Sequence, residues 1–214
     1  VYLLVNKSFE YLNTLTASIG MFLSYIGFVF LIILANKHAT NWHLIWCGIY
    51  GITLMILHTS STAYHGVTNS KIKNKLRYLD HSSIYLLIAG TYTPLALINL
   101  YGAWGWSLFG IIWCLFSIGV FLKLMDIRPF KNYDIYLYLT MGWLSIISIK
   151  QLYNNIDLIG IILIVCGGLF FTTGIFFYMW DNKKYFHAIW HLFYISGCIC
   201  HYFAIVFYTI PYKM

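Results

Sequence analysis

Long apolar runs, each closed by a short polar stretch, fill the chain from residue 16 onward. A helix needs about 17 to 25 residues to cross the hydrocarbon layer of a bilayer. Seven runs reach that length: Thr16 to Ala35, Trp42 to Tyr64, Ser82 to Ile98, Tyr101 to Lys123, Tyr133 to Ile149, Ile156 to Trp180, and Ala188 to Ile210. The connections are short and carry neither repeats nor low-complexity tracts. Residues 1–214 therefore read as one all-α domain, a polytopic membrane protein built as a seven-transmembrane helix bundle. Composition agrees: 61% hydrophobic, 20% aromatic and 9% charged residues, with a mean hydropathy of +0.75, lie far from an ordinary soluble domain. The first run is too long for a signal peptide and lacks an A-x-A cleavage site, so it is expected to stay as an anchor.

Charge orients the bundle, because Lys and Arg prefer cytoplasmic loops. With the N-terminus cytoplasmic and the C-terminus outside, the inner side collects Lys7, Lys71, Lys73, Lys75, Arg77, Lys123, Arg128, Lys131, Lys183 and Lys184. The outer side keeps only Lys37, Lys150 and Lys213. The net charge of +7 then faces anionic lipid headgroups, and Lys71 to Leu79, with Ile72, Leu76 and Leu79 on one side, is placed to lie along that interface. Nucleic acid is not an expected partner, since it needs a soluble basic face. The five cysteines, Cys47, Cys114, Cys166, Cys198 and Cys200, all fall in apolar runs without a CxxC pair and read as small packing residues. Trp42, Trp104, Trp106, Trp180, Tyr2, Tyr11 and Tyr212 sit near run boundaries, where amphipathic rings are favoured.

Ionisable side chains inside such runs are costly and face a bundle interior or a partner. His65 closes the second run, and His187 and His191 open the seventh, all on the expected inner side. The pair is four residues apart, so both imidazoles lie on one helix face about 6 Å apart along the axis. One metal ion suits the three. Zinc is the expected ion, with three imidazoles leaving a fourth position for water; copper and iron also accept imidazole, whereas magnesium and calcium prefer oxygen. Ser61, one turn before His65, shares its side of the helix. Asp80 is expected beside the ion, orienting a water or an imidazole or taking a proton. Each feature has a plainer reading: hydrogen-bonding structural histidines without a metal, Asp80 as the N-cap of the third span, Ser61 bonded to its own helix, His81 at the interface. His38, His43, His58 and His201 read as hydrogen-bonded packing residues, and His201, about 15 Å further along the helix than His191, is out of reach of the same ion. Pro94 is expected to kink its helix, with Thr91 and Thr93 satisfying freed carbonyls. Gly167, Gly168 and Gly174 allow close helix approach.

The stretches Ser61-Thr62-Ala63-Tyr64-His65, Leu79-Asp80-His81-Ser82-Ser83-Ile84-Tyr85 running on to Pro94, Met141-Gly142-Trp143, Gly167-Gly168-Leu169 and His187-Ala188-Ile189-Trp190-His191-Leu192-Phe193 together resemble the haemolysin III proteins. These belong to the progestin and adipoQ receptor superfamily, which includes the adiponectin receptors. The resemblance runs from Trp42 to His201. It implies a seven-helix bundle, N-terminus inside, with zinc held by His65, His187 and His191 and supporting roles for Ser61 and Asp80. A further likeness to alkaline ceramidases makes a zinc-dependent hydrolase of a lipid amide or ester the leading expectation, with membrane lipid as substrate or ligand. The family name instead suggests a pore-forming cytolysin, and the superfamily a seven-helix receptor with structural zinc. Against the pore stands the lack of a polar stripe along any span.

Overall fold

The computed structural model describes residues 7–125 and 133–212. The side chain of Lys7 and residues Tyr2, Arg128, Lys131 and Lys213, all read above for charge or aromatic placement, lie outside the description. Among the described residues all regular structure is helical: α1 (Lys7–His38), α2 (Asn41–Gly66), α3 (Ser70–Pro94) continued by a π-helical turn (Leu95–Leu100), α4 (Gly102–Leu124), α5 (Tyr133–Trp143), a 3-10 segment (Leu144–Ser148), α6 (Ile149–Asn155), α7 (Leu158–Met179), and α8 (Phe186–Ala204) with its own π-helical end (Ile205–Thr209). Among the described residues six helices are long and apolar enough to cross a membrane, and the protein is an integral, multi-pass membrane protein. Large apolar side chains such as Phe22, Phe30, Phe121 and Phe176 cover its outside. That surface would aggregate in water and matches lipid tails instead.

Two helices begin well before the apolar runs that announce them. α1 starts at Lys7 rather than at residue 16, which adds two turns carrying Glu10 and Asn13. α3 starts at Ser70, capped by Asn69, whose Oδ1 accepts from the Lys71 and Ile72 amides at 3.0 and 3.2 Å. The basic stretch Lys71 to Leu79 is thus the opening of α3, and Asp80 lies inside the helix rather than at its cap. Its side chain is free for other work.

The fifth expected span is the exception among the seven. Tyr133 to Ile149 is helical but broken, because the Tyr92 hydroxyl enters its backbone ladder. That hydroxyl donates to the Gly142 carbonyl at 2.9 Å and accepts from the Ser145 amide at 2.7 Å. An inserted side chain of this kind breaks α-helical pairing, and the next five residues tighten to 3-10 geometry. The broken segment still accompanies α3 along its length, from Asp134 beside Tyr85 to Asn155, whose amide donates to Asn99 O.

Pro94 removes an amide from α3, and the pairing slips to a π-helical turn just beyond it. Thr91 and Thr93 donate to Leu87 O and Ala89 O, each at 2.8 Å. Neither bonds Gly90 O, the carbonyl that Pro94 leaves free. The widened turn is pinned from outside by Trp42, whose indole donates to Leu97 O at 2.9 Å.

Small residues set the helix spacing. Gly167 on α7 faces Gly197 and His201 on α8, and Gly174 faces Trp190 and Phe193. Gly90 on α3 lies against Thr53 on α2, so that an added Cβ would stand 2.8 Å from both Thr53 Cβ and Cγ2. Thr53 is buried, β-branched and donates to Tyr50 O, so it has little room to yield. Gly→Ala in a helix gains about 1 kcal/mol of propensity, whereas overpacking costs about 1–3 kcal/mol. Gly90→Ala should therefore lower the thermal midpoint of the detergent-purified protein by several degrees. An unchanged or raised midpoint would contradict the close α2–α3 contact.

Candidate metal centre

His65 stands near the end of α2, and His187 and His191 occupy the first turns of α8. The three rings form a near-regular triangle, with centroids 4.8 Å apart for His65 and His187, 5.0 Å for His65 and His191, and 4.8 Å for His187 and His191. One nitrogen from each falls within 4.8 Å of the others. α8 is aimed by Tyr185, which takes a left-handed backbone conformation at φ 68° immediately before it. A non-glycine residue held there costs about 1–3 kcal/mol and persists only where its surroundings impose it. Phe9, packed edge-on against the Tyr185 ring at 5.8 Å, is part of those surroundings.

The outward nitrogens of His65 and His191 are tied to groups on α1, and these ties fix the tautomers of those two rings. His65 Nδ1 meets the Glu10 carboxylate at 3.0 Å. A carboxylate accepts, so His65 carries its proton on Nδ1 and turns the Nε2 lone pair inward. His191 Nδ1 meets the Thr16 hydroxyl at 2.8 Å. That hydroxyl spends its one proton on Leu12 O at 2.9 Å, so it accepts from His191 in the same sense. His187 Nδ1 faces Asp181 at 3.6 Å. Glu10 is held in turn by Lys73, whose ammonium reaches its Oε2 and Tyr64 O, both at 3.1 Å.

The inward atoms have few ways to be satisfied. His187 Nε2 and His65 Nε2 lie 3.1 Å apart, and the nitrogens of two ligands on one tetrahedral ion, at bond lengths of 2.0–2.1 Å, are about 3.3 Å apart. With the Nε2 lone pair of His65 turned inward, that contact is closed either by a proton on His187 Nε2 or by a cation held between the two rings. His65 and His191 are buried, at 5% and 1% exposure, which leaves little water to do the same. The triad could hold a metal ion: its donors are imidazole alone, oriented by outer partners, as metal-ligating histidines are.

His187 and His191 of the triad line a cavity of about 110 Å³, whose wall also includes Ser61, Asp80 and His81. Ser61, one turn before His65, stands close to both the Asp80 carboxylate and the Tyr194 hydroxyl. From this polar end the cavity follows α3 from Asp80 to Tyr92, about 18 Å at 1.5 Å per residue. Leu57, Ile84, Leu87, Ile88 and Phe171 line that length.

The remaining histidines have local partners. His43 bridges Thr40 and Tyr212 O, His58 stacks on Tyr194, and His201 bonds Ile164 O at 3.1 Å. His38 is exposed. His81 is half-buried and bonds Lys123 at 3.0 Å. The five cysteines are free and none joins the cluster. Sequence reasoning missed Glu10, Thr16 and Asp181. One signal was available for the first two: Glu10, the only glutamate in the chain, begins a polar line at three-residue steps through Asn13 to Thr16.

The fold and the cluster define the class: a polytopic α-helical membrane protein with a buried three-histidine site at one end of the bundle. The haemolysin-III-related family profile matches residues 5–202, and the chain belongs to that family. It is 40% identical over 202 residues to Hemolysin-3 of Bacillus cereus, covering 94% of this chain and 92% of that protein. It is 39% identical over 201 residues to the Hemolysin-3 homolog of Bacillus subtilis strain 168, covering 94% of each. It is 31% identical over 170 residues to the human monocyte to macrophage differentiation factor, covering 77% of this chain and 70% of that one.

Removing an outer-sphere partner of a metal-binding histidine typically costs 10- to 100-fold in metal affinity. Glu10→Gln, which keeps the shape and removes the charge, should weaken divalent-metal binding by about that factor in a chelator competition. An affinity equal to wild type would sever Glu10 from the site.

Proposed function

We propose that the chain is an intramembrane zinc-dependent hydrolase of a lipid amide or ester. The observation that carries this reading is the cluster itself: three imidazoles with nitrogens within 4.8 Å of one another, two of which, His187 and His191, share one cavity end with a buried carboxylate and a hydroxyl, while the rest of that cavity is apolar and long. The all-imidazole donor set, without thiolate or carboxylate among its ligands, suits zinc better than calcium or magnesium. Zinc bound there supplies a Lewis acid and an acidified water.

Each residue has a definite task. His65, His187 and His191 would hold the ion, with the tautomers of the first and last set by Glu10 and Thr16. Asp80, within reach of the same end, takes the proton of the attacking water and returns it to the leaving amine or alcohol. Ser61 lies between Asp80 and Tyr194, where its hydroxyl can bond the carboxylate or the developing oxyanion. The apolar length beyond, about 18 Å against roughly 15 Å for one leaflet, takes the acyl chain and excludes water. The lysine-rich end, with Lys71, Lys73, Lys75, Arg77, Lys183 and Lys184 around the site, is read as cytoplasmic by charge. It attracts anionic headgroups, so lipid serves as both substrate and neighbour.

The test is release of palmitate from N-palmitoylsphingosine in detergent by the purified protein, with zinc measured alongside. His65→Ala should lose both zinc and turnover. Asp80→Asn should keep zinc while losing about 10²- to 10⁴-fold in rate, the usual share of a general base. Turnover that survives without metal ends the hydrolase reading, and dye release from vesicles that persists in His187→Ala/His191→Ala points to a pore instead.

A further inference from the structure

One histidine of the cavity wall remains without a task, and its partners reveal its protonation. His81 follows Asp80 on α3 and lines the same cavity. Its Nδ1 lies 3.0 Å from the Lys123 ammonium of α4. Lys123 is held there by Asp134 of α5, at 2.6 Å, and the other oxygen of Asp134 accepts from the Tyr85 hydroxyl at 2.7 Å. Tyr138 closes the group by donating to His81 O at 2.8 Å.

An ammonium paired with a carboxylate has only donors to offer. His81 Nδ1 must therefore accept, which makes the ring neutral and places its single proton on Nε2. Among the described residues that Nε2–H has no hydrogen-bond partner. His81 is half-buried, and its ring stands on the cavity wall that Ser61, Asp80, His187 and His191 also line, where an unpartnered N–H is open to a ligand.

We propose that His81 is a substrate-positioning residue whose Nε2–H donates to the acyl carbonyl or carboxylate of the lipid in the cavity, with Lys123 and Asp134 fixing the tautomer that makes it a donor. This rests on the lipid-hydrolase reading for its ligand class, but the binding it describes does not require turnover. The placement suits the ligand. A carbonyl near the triad, with its chain along the apolar length, brings its oxygen past the turn of α3 that carries Asp80 and His81.

Two substitutions separate this role from a structural one. In His81→Asn the side-chain oxygen stands near the old Nδ1 and keeps the Lys123 contact, while the outer donor is gone. In His81→Gln the amide N–H₂ reaches towards the old Nε2 and keeps a donor, while the Lys123 contact is lost. The probe is carboxyl-¹³C oleate, titrated by NMR into the zinc-loaded full chain in detergent. A hydrogen bond to a charged acceptor implies about a tenfold loss of oleate affinity in His81→Asn, with His81→Gln within about threefold of wild type. Thermal midpoints should show the reverse order, with His81→Asn the more stable. Oleate affinity that follows the Lys123 contact, falling in His81→Gln and not in His81→Asn, overturns the proposal. So does equal loss in both, or no oleate binding by wild type. Absence of palmitate release with the oleate pattern intact removes the hydrolase reading and leaves the role of His81 standing.

Discussion

A buried imidazole has two ring nitrogens to satisfy and almost no water to satisfy them, and three such rings meet at one end of this bundle. Their outer nitrogens are supplied from far along the chain: Glu10 and Thr16 on α1 for His65 and His191, Asp181 near His187. At His65 and His191 the acceptor draws the ring proton outward and leaves a lone pair pointing inward. The inward atoms are then left facing one another, with the 3.1 Å separation of His65 and His187 as the sharpest instance. The ties from Glu10 and Thr16 bring α1 to the meeting of α2 and α8 at this end, and Glu10 sits in the two turns by which α1 extends beyond its apolar run.

The rest of the architecture can be read as what that convergence requires. α8 must arrive with His187 and His191 turned towards α2, and a left-handed Tyr185 gives it the entry angle. α7 must sit close to α8 without side chains in the way, which Gly167 and Gly174 permit. α3 must bring Asp80 within the bundle rather than at its edge, so its cap is displaced to Asn69. At the opposite end the constraints relax. There π-helical turns in α3 and α8 meet through the Asn99 amide and Tyr208 O, and among the described residues no second group of His, Cys, Asp or Glu gathers closely enough to hold a metal ion.

Much of this was legible before any coordinates. The length of the apolar runs located six of the seven expected spans as long helices, because lipid-facing and core-facing residues are both apolar, and the four-residue spacing of His187 and His191 placed two rings on one face. What could not be read has specific causes. The start of α1 was hidden because Glu10, Asn13 and Thr14 lower the local hydropathy although the helix continues through them, and those residues belong to the site, not to the lipid. The break in the fifth span was invisible because its cause, the Tyr92 hydroxyl, lies some fifty residues away in the chain. Asp80 directly precedes an apolar run and so imitates a cap; only the turns before it, basic and polar yet helical, reveal that it lies inside.

Two histidines at the same end of the molecule are governed by opposite charges, and this contrast gives the site its chemical division. Glu10 beside His65 is an acceptor, so the inner nitrogen of that ring is a lone pair suited to a cation. Lys123 beside His81 is a donor, so the free nitrogen of that ring carries hydrogen suited to an oxygen. Exchanging the two partners would exchange the two functions, since the imidazoles themselves are identical. The cavity thus presents cation-binding nitrogens at the triad and an oxygen-binding N–H nearby, with Asp80 and Ser61 on the same wall. A carbonyl compound needs that pairing, one group to activate what attacks it and another to hold its oxygen, and the long apolar wall beyond adds a preference for carbonyls that carry a lipid chain.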